Sequence, residues 1–291
     1  MIPDALRLAV NQGGRVHVKG GGILFGLVLS MGVLSGAPAA AQPAQEPFKP
    51  QVGQAGKDVV WVPTPGVLVE KMLDMAGVTA DDVVMDLGSG DGRNIIAAAK
   101  RGARAIGVEF NPDMVALSRK TAVAEGVADK ATFIQGDMYE ADISKATVLA
   151  LFLLPHNLNK LTPKFLALPA GTRIVGNTFA PEGWEADETE TVAGDCVSWC
   201  TSLLWIVPAK VEGSWKLPEG DLALKQTFQV VSGSLTSNGK ATEVTGRLRG
   251  NQISLKVGNA EYIGRVNGTS IDGTLKNGSS VKSWRATRAE P

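Results

Sequence analysis

Apolar positions along this chain change their period several times, and each change marks a change of structure. Val67, Leu68, Met72, Leu73 and Met75 recur at near-helical spacing within Val67 to Ala76, and Gly77 stops the run. Asp82 to Leu87 is a short apolar strand that ends in Gly88-Ser89-Gly90-Asp91-Gly92. An Ala/Ile-rich helix over Asn94 to Lys100 is closed by Gly102, and Ala105 to Phe110 is a second strand. Pro112 to Glu125 predicts a second helix in this series, and Ala131 to Gln135 a third strand. Thr147 to Leu154 is nearly all apolar, as expected of a strand covered on both faces. Leu158 to Leu166 is helical and Thr172 to Asn177 is a fifth strand. Strands alternating with helices at this pitch predict right-handed β-α-β units around a parallel sheet.

After about Pro208 the helical periods stop, Gly, Ser, Asn and Thr rise, and alternating runs such as Thr227 to Val231 and Gln252 to Val257 take over. Gly246-Arg247-Leu248-Arg249-Gly250-Asn251-Gln252-Ile253 aligns with Gly264-Arg265-Val266-Asn267-Gly268-Thr269-Ser270-Ile271 at a spacing of 18 residues. Each copy reads as strand, glycine turn, strand, which predicts a small antiparallel meander or partial barrel built of hairpins. The expected fold class is therefore α/β. A Rossmann-like, mostly parallel seven-stranded sheet with helices on both faces is followed by a small C-terminal antiparallel β domain.

The N-terminus follows neither pattern. Arg7, Arg15 and Lys19 precede an apolar, acid-free run from Ile23 to Leu34, followed by small residues over Ala37 to Ala41. A basic start, a short apolar stretch and an Ala-x-Ala step are the parts of a secretory signal peptide, with cleavage near Ala41. The apolar run is about 12 residues, short of the roughly 20 that span hydrocarbon, so no stable membrane span is expected in the mature chain. The organisation expected is a signal peptide over 1–41, a linker over 42–58, an α/β domain over 59–212 and a β-rich domain over 213–291. That leader points to a periplasmic or secreted address; a mis-assigned gene start would instead leave the protein cytoplasmic.

Composition narrows the chemistry. Of 291 residues, 44% are hydrophobic and 20% charged, which excludes a disordered or multi-span membrane chain. Lys plus Arg and Asp plus Glu both number 29, so no global field draws in nucleic acid. Two cysteines and two histidines are too few for a thiolate or histidine-rich metal centre, and no metal is expected.

Candidate chemistry gathers at the first strand's end. In an open parallel sheet, ligands lie outside the carboxyl ends of the strands. Asp86-Leu87-Gly88-Ser89-Gly90-Asp91-Gly92 stands there, its glycines allowing close backbone approach and the following helix offering free N–H groups. The spacing departs from a dinucleotide fingerprint, because the third glycine comes one residue early and Arg93 fills its slot. Glu109 ends the second strand, where two acceptor oxygens match the vicinal hydroxyls of a ribose. Asp137 follows the third strand and can accept from an adenine amino group.

With these residues in view, residues 59 to about 180 resemble a class I S-adenosylmethionine-dependent methyltransferase. The wording is closest to the seven-strand protein N-lysine methyltransferases of the ATP synthase c-subunit and adenine nucleotide translocase type. The stretches that carry the resemblance are Val62-Pro63-Thr64-Pro65, Asp86 to Arg93, Ile106-Gly107-Val108-Glu109-Phe110-Asn111-Pro112 and Leu168-Pro169-Ala170-Gly171-Thr172-Arg173. Bacterial exported methyltransferase-like proteins are similar as well, continuing into a segment like Trp205 to Lys210. The resemblance implies S-adenosyl-L-methionine as cofactor, with Gly88, Ser89, Gly90 and Gly92 against its methionine part and Asp86 ordering that loop. It implies Glu109 on the ribose, Asp137 on the adenine and Thr64 capping from the N-terminal side.

Methyl transfer to an amine needs alignment and an uncharged nucleophile, and a dry channel lowers an amine's pKa without a dedicated base. The acceptor expected is a protein lysine or a smaller amine; an exported binding or envelope protein on the same fold is the alternative. Leu154-Pro155-His156-Asn157 lacks the Asn/Asp-Pro-Pro-Tyr/Phe sequence of amino-group methylases acting on bases and glutamine. His156 reads either as a proton acceptor or as a helix-start residue bonded to backbone. Cys196 and Cys200 lie about 13 Å apart on one extended strand, too far for a disulfide, whereas a tight turn would let them bridge.

Overall fold

The computed structural model describes residues 48–289, so the leader read over 1–41 and the first part of the linker lie outside the described residues. Helix α1 (Gly66–Met75) leads into β1 (Val83–Leu87), α2 (Arg93–Lys100), β2 (Arg104–Glu109), α3 (Pro112–Ala124) and β3 (Ala131–Gln135). Then come β4 (Val148–Leu151), α4 (Pro155–Phe165), β5 (Arg173–Asn177), β6 (Glu188–Thr191) and β7 (Thr201–Ile206). The sheet order is β3-β2-β1-β4-β5-β7-β6, so the chain starts at the centre, winds outward to β3, and crosses back to β4. β1 to β5 pair in parallel, and β7 returns antiparallel to β5 with Asn177 opposite Ser202. The crossover between β1 and β4 is the switch point where open α/β sheets hold ligands.

Alternation along the strands divides the core between two faces. Val84, Val148 and Val175 point to the side covered by Leu68, Met72 and Leu73 of α1 and Ile95 of α2. Met85, Leu149 and Ile174 point to the other, against Leu158, Leu161 and Phe165 of α4 and the indoles of Trp184 and Trp205. All four residues of β4 are buried, as its unbroken apolar run requires. Helix starts follow local chemistry. Asn111 caps α3 by accepting from the Asp113 amide at 2.9 Å, with Pro112 at the first helical position. Pro155 likewise starts α4, three residues before the expected Leu158, because its fixed φ suits a first turn. At the opposite end of the sheet, Asp82 accepts from Thr147 Oγ1 at 2.7 Å and from the Thr79 amide at 2.9 Å, and it pairs with Arg173.

The C-terminal strands, β8 (Gly213–Leu217), β9 (Gly220–Thr227), β10 (Val230–Ser237), β11 (Lys240–Arg249), β12 (Gln252–Val257), β13 (Ala260–Asn267), β14 (Ser270–Asn277) and β15 (Ser280–Arg288), form a closed antiparallel barrel. The sequence repeat is its hairpin repeat: Gly250 and Gly268 sit at the turns β11–β12 and β13–β14 with φ of 60° and 61°. Closure comes from β15 reaching β8, where Thr287 pairs with Lys216 and Arg288 with Trp215. A barrel leaves no edge to mispair. Its interior is filled by Trp215, Leu224, Val244, Leu248, Ile271 and Trp284, among others.

The barrel is docked firmly on the sheet. Phe228 stacks on Trp184 with ring centres 5.4 Å apart, and Gln229 Nε2 donates to the Glu185 carbonyl at 2.7 Å. The Asp187 side chain is only 2% exposed and accepts from Arg247 at 2.9 Å and from the Ile206 amide at 2.9 Å. Arg249 pairs with Glu188 on edge strand β6. Among the described residues no helix is long and apolar enough to cross a membrane.

Candidate functional site

The loop after β1 is held by backbone on one side and side chains on the other. The amides of Gly88 and Ser89 both donate to the Val108 carbonyl of β2, at 2.8 and 3.0 Å. Gly92, at φ 80°, opens α2; a Cβ there would meet the Phe133 ring at 2.6 Å and Ser118 Oγ at 2.8 Å, so no larger residue fits. Arg93, in the slot where a dinucleotide fingerprint has its third glycine, pairs with Asp91 at 2.5 Å and donates to the Thr64 carbonyl at 2.8 Å. It thereby ties the loop to the Val62-Pro63-Thr64-Pro65 segment.

Glu109 closes the other side of this loop. Its Oε2 accepts from the Gly90 amide at 2.9 Å and its Oε1 from the Asn111 amide at 2.8 Å. The carboxylate thus sets the spacing between two strand ends and keeps lone pairs for a ligand, since each oxygen can accept more than one bond. Asp137 accepts from the Tyr139 amide at 2.9 Å and pairs with Lys57, whose ammonium also lies 5.1 Å from the Phe110 ring centre. The hydrogen bond from Lys57 is the main reason the Asp137 carboxyl sits below its ordinary range, with the Tyr139 amide next.

Gly88, Glu109 and Asp137 line one cleft together with Val108, Phe110 and Met138. About 680 Å³ of empty space lies within it when counted out to solvent at its open mouth, and about 80 Å³ of that admits the centre of a water-sized sphere. A strap over residues 54–62 forms its outer wall. Gly53 donates to the Trp61 carbonyl at 2.8 Å, Trp61 donates to the Gln54 carbonyl at 2.9 Å, and the Trp61 indole covers Gly90. Sequence reasoning missed Lys57 and Trp61, because this segment has neither helical nor strand period. The Trp61-Val62-Pro63-Thr64-Pro65 run was the signal at hand.

Asp86 and Ser89 lie beneath the loop, not in the cleft wall. Asn94 Nδ2 donates to Asp86 Oδ2 at 3.0 Å, whereas Asp86 Oδ1, Asn94 Oδ1 and Ser89 Oγ are buried with no protein partner among the described residues. Burial drives the Asp86 carboxyl up to about 8 against the Asn94 hydrogen bond, and the charges of Glu109 and Asp91 add to the rise. Thr64 is 3% exposed and stands outside the cleft lining, its Oγ1 accepting weakly from Asn177 Nδ2 at 3.5 Å. His156 is exposed on the first turn of α4 and also stands outside that lining. Cys196 and Cys200 are joined by a disulfide, their Cα atoms 5.8 Å apart, so the segment between β6 and β7 takes the tight turn.

These donors suit the group implied by the sequence. Apolar walls at Val108, Phe110 and Met138 fit a base, carboxylates at two adjacent strand ends fit a ribose and an amino group, and the glycine loop with orphaned acceptors beneath it fits the ammonium of an amino-acid tail.

Known proteins agree. A family model described as the ANTKMT methyltransferase domain matches residues 86–188. A protein-lysine N-methyltransferase of Saccharolobus islandicus is 42% identical over 133 residues, spanning 45% of this chain and 83% of the relative. The Rattus norvegicus lysine N-methyltransferase of the ATP synthase c-subunit is 33% identical over 164 residues, spanning 55% of this chain and 74% of its own length. Among solved structures, an RNA methyltransferase of Salinibacter ruber in complex with S-adenosyl-L-homocysteine is 44% identical over 52% of this chain and 96% of that one, with a TM-score of 0.49. The chain belongs to the S-adenosylmethionine-dependent methyltransferase family that contains the protein-lysine N-methyltransferases of the ATP synthase c-subunit and adenine nucleotide translocase type.

Proposed function

We propose that this methyltransferase N-methylates a lysine side chain of a protein, and that it does so outside the cytoplasm. The observation that carries the transfer is the single cleft lined by Gly88, Glu109 and Asp137 at three successive strand ends. The relatives that act on protein lysines support the acceptor class. The cofactor, when bound, supplies an electrophilic methyl group that carries its own leaving group. Gly88 would meet its amino-acid tail, Ser89, Gly90 and Gly92 would shape the turn that presents Gly88, Asp86 would order that loop, Glu109 would orient the ribose and Asp137 the base. Thr64 acts through the loop, by way of Arg93 on its carbonyl.

What remains for the protein is alignment, which can contribute roughly 7–11 kcal/mol when nucleophile and leaving group are held in line. The strap with Trp61 covers the loop side at Gly90, and burial of the amine against the cleft's apolar inner walls would favour the uncharged form that must attack. Because His156 stands outside the cleft, deprotonation falls to desolvation and solvent.

The export reading rests on the leader pattern over residues 1–41 and on the Cys196–Cys200 disulfide, a bond that persists in oxidising compartments. N-terminal sequencing of the native protein is expected to begin near Gln42; an intact Met1 would overturn it. For the activity, the purified full chain is incubated with methyl-labelled S-adenosylmethionine and host extracts. Label is expected in protein, at lysine by mass spectrometry. Label confined to RNA or small amines would refute the acceptor class. Cofactor binding without any turnover would favour the second reading, an exported binding protein on this fold, which the disulfide alone supports equally well.

Lys57 gives a smaller prediction. An exposed ion pair contributes little to stability, and removing this one frees Asp137 for a ligand. Lys57→Ala is expected to tighten cofactor affinity by no more than about fivefold in low salt, with the difference shrinking near 0.5 M salt as screening weakens the wild-type pair. Calorimetric titration at the two salt concentrations measures it.

A further inference from the structure

Three aromatic side chains gather beside the cleft, and of the three Phe179 also packs in part against the core on the α4 side of the sheet. Phe152 is the first residue after β4, Phe179 stands two residues past β5, and Trp199 stands two residues before β7. Because β7 runs antiparallel to β5, its start lies at the same sheet edge as the carboxyl ends of β4 and β5. The rings touch: Phe152 to Phe179 is 6.1 Å between centres, Phe152 to Trp199 is 5.9 Å and Phe179 to Trp199 is 5.2 Å. Phe152 also lines the cleft with Gly88 and Asp137, so the trio continues the cofactor wall outward.

This cluster is not ordinary core. Trp199 keeps 40% of its surface exposed, and Phe152 and Phe179 are only half-buried. Its backbone is held in unusual shapes. Trp199 has φ 58°, and Thr178, which delivers Phe179, has φ 60°; both are left-handed conformations that non-glycine residues seldom adopt. The surroundings fix them. The Thr178 amide donates to the Thr201 carbonyl at 2.8 Å, the Thr178 hydroxyl donates to Asn177 Oδ1 at 2.8 Å, and the Cys196–Cys200 disulfide closes the short loop that contains Trp199. Strain retained at a site edge, with exposed aromatic faces, marks a surface kept for a ligand.

We infer that Phe152, Phe179 and Trp199 form the acceptor-binding wall of the cleft, a platform for a cationic alkylamine such as a lysine side chain, and that the Cys196–Cys200 disulfide holds Trp199 in that wall. Aromatic faces attract an ammonium within about 6 Å of the ring centre, and an indole does so best. The rings also cover the apolar stem of a lysine, and the attraction tolerates each added methyl, because methylation keeps the charge while reducing hydration. The inference rests on the proposed lysine acceptor and deepens it.

The test uses the full oxidised chain and reads the Trp199 indole N–H by NMR, assigned by its loss in Trp199→Phe. The probes are N-acetyl-Nε-trimethyl-lysine amide and its neutral analogue with a tert-butyl group in place of the trimethylammonium. A saturable shift with the cation, at least about fivefold weaker with the neutral analogue and at least about threefold weaker in Cys196→Ser/Cys200→Ser, is expected. No shift with the cation, equal binding of the neutral analogue, or undiminished binding in the double variant would each overturn the inference. Calorimetry with S-adenosylmethionine on the same samples keeps the two readings apart. Amine binding without cofactor binding would remove the proposed transfer and leave the aromatic platform standing. Cofactor binding without amine binding would do the reverse.

Discussion

Glu109→Ala is expected to raise the dissociation constant for S-adenosylmethionine about a hundredfold or more while the chain still folds. The side chain ends β2 and makes two backbone bonds, to the Gly90 and Asn111 amides at 2.9 and 2.8 Å. Truncation therefore removes the ligand's ribose acceptors and loosens the loop that meets its tail. Hydrogen bonds to charged groups contribute roughly 1.5–3 kcal/mol each, so losing two from the bound complex amounts to about 3–6 kcal/mol, and about 1.4 kcal/mol is tenfold in affinity. Glu109→Gln should fall between, since its carbonyl can still accept from Gly90 while its amide meets the Asn111 N–H as a second donor. Asp137→Asn should cost less, about tenfold, because one acceptor remains and Lys57 already occupies part of the carboxylate. Isothermal titration of the three variants measures this order. Unchanged affinity in Glu109→Ala would mean that the cleft is not where the cofactor binds.

The parts of this site that can be read from sequence are those fixed by local period and turn chemistry. A strand is short and apolar, its loop is glycine-rich, and the next helix starts at once, so Gly88 and Gly92 are placed by their neighbours along the chain. Glu109 and Asp137 follow because the ends of consecutive parallel strands must lie side by side. The hidden parts depend on distant pairings with no period. Lys57 meets Asp137 across 80 residues from a strap that is neither helix nor strand. Arg93 looks like a blemish in a glycine pattern, and its role becomes visible only through the Thr64 carbonyl that it holds. The repeat at Gly250 and Gly268 reveals hairpins, but barrel closure rests on the short β15–β8 pairing, which no local signal announces. The aromatic wall is scattered over Phe152, Phe179 and Trp199, and along the chain Trp199 is indistinguishable from the tryptophans that pack the core. The spacing of Cys196 and Cys200 leaves their pairing open, and the turn between β6 and β7 decides it.

Asp86→Asn is expected to act on stability and on cofactor affinity in opposite directions. Burial raises the Asp86 carboxyl from its ordinary 3.8 to about 8, with Asn94 opposing and the charges of Glu109 and Asp91 adding. A carboxyl whose folded pKa is raised binds more protons folded than unfolded, so stability falls as pH climbs from about 3.8 to about 8 and the full penalty stands above that. At roughly 1.4 kcal/mol per tenfold the penalty reaches several kcal/mol, and water or loop adjustment around the orphaned Oδ1 should bring it to about 2–4 kcal/mol. The amide variant keeps an acceptor for Asn94 and carries no charge. Urea denaturation should show it near wild type at about pH 4 and more stable by that amount at pH 9; a constant difference across this range would show that Asp86 does not titrate between the two states. Cofactor affinity near pH 8 should fall instead, by about tenfold, because the ammonium of the zwitterionic amino-acid tail above the loop would favour the ionised carboxylate that the unliganded fold disfavours. A buried acid that weakens its own protein persists where its charge is needed by a ligand, and the opposed signs distinguish that account from simple packing.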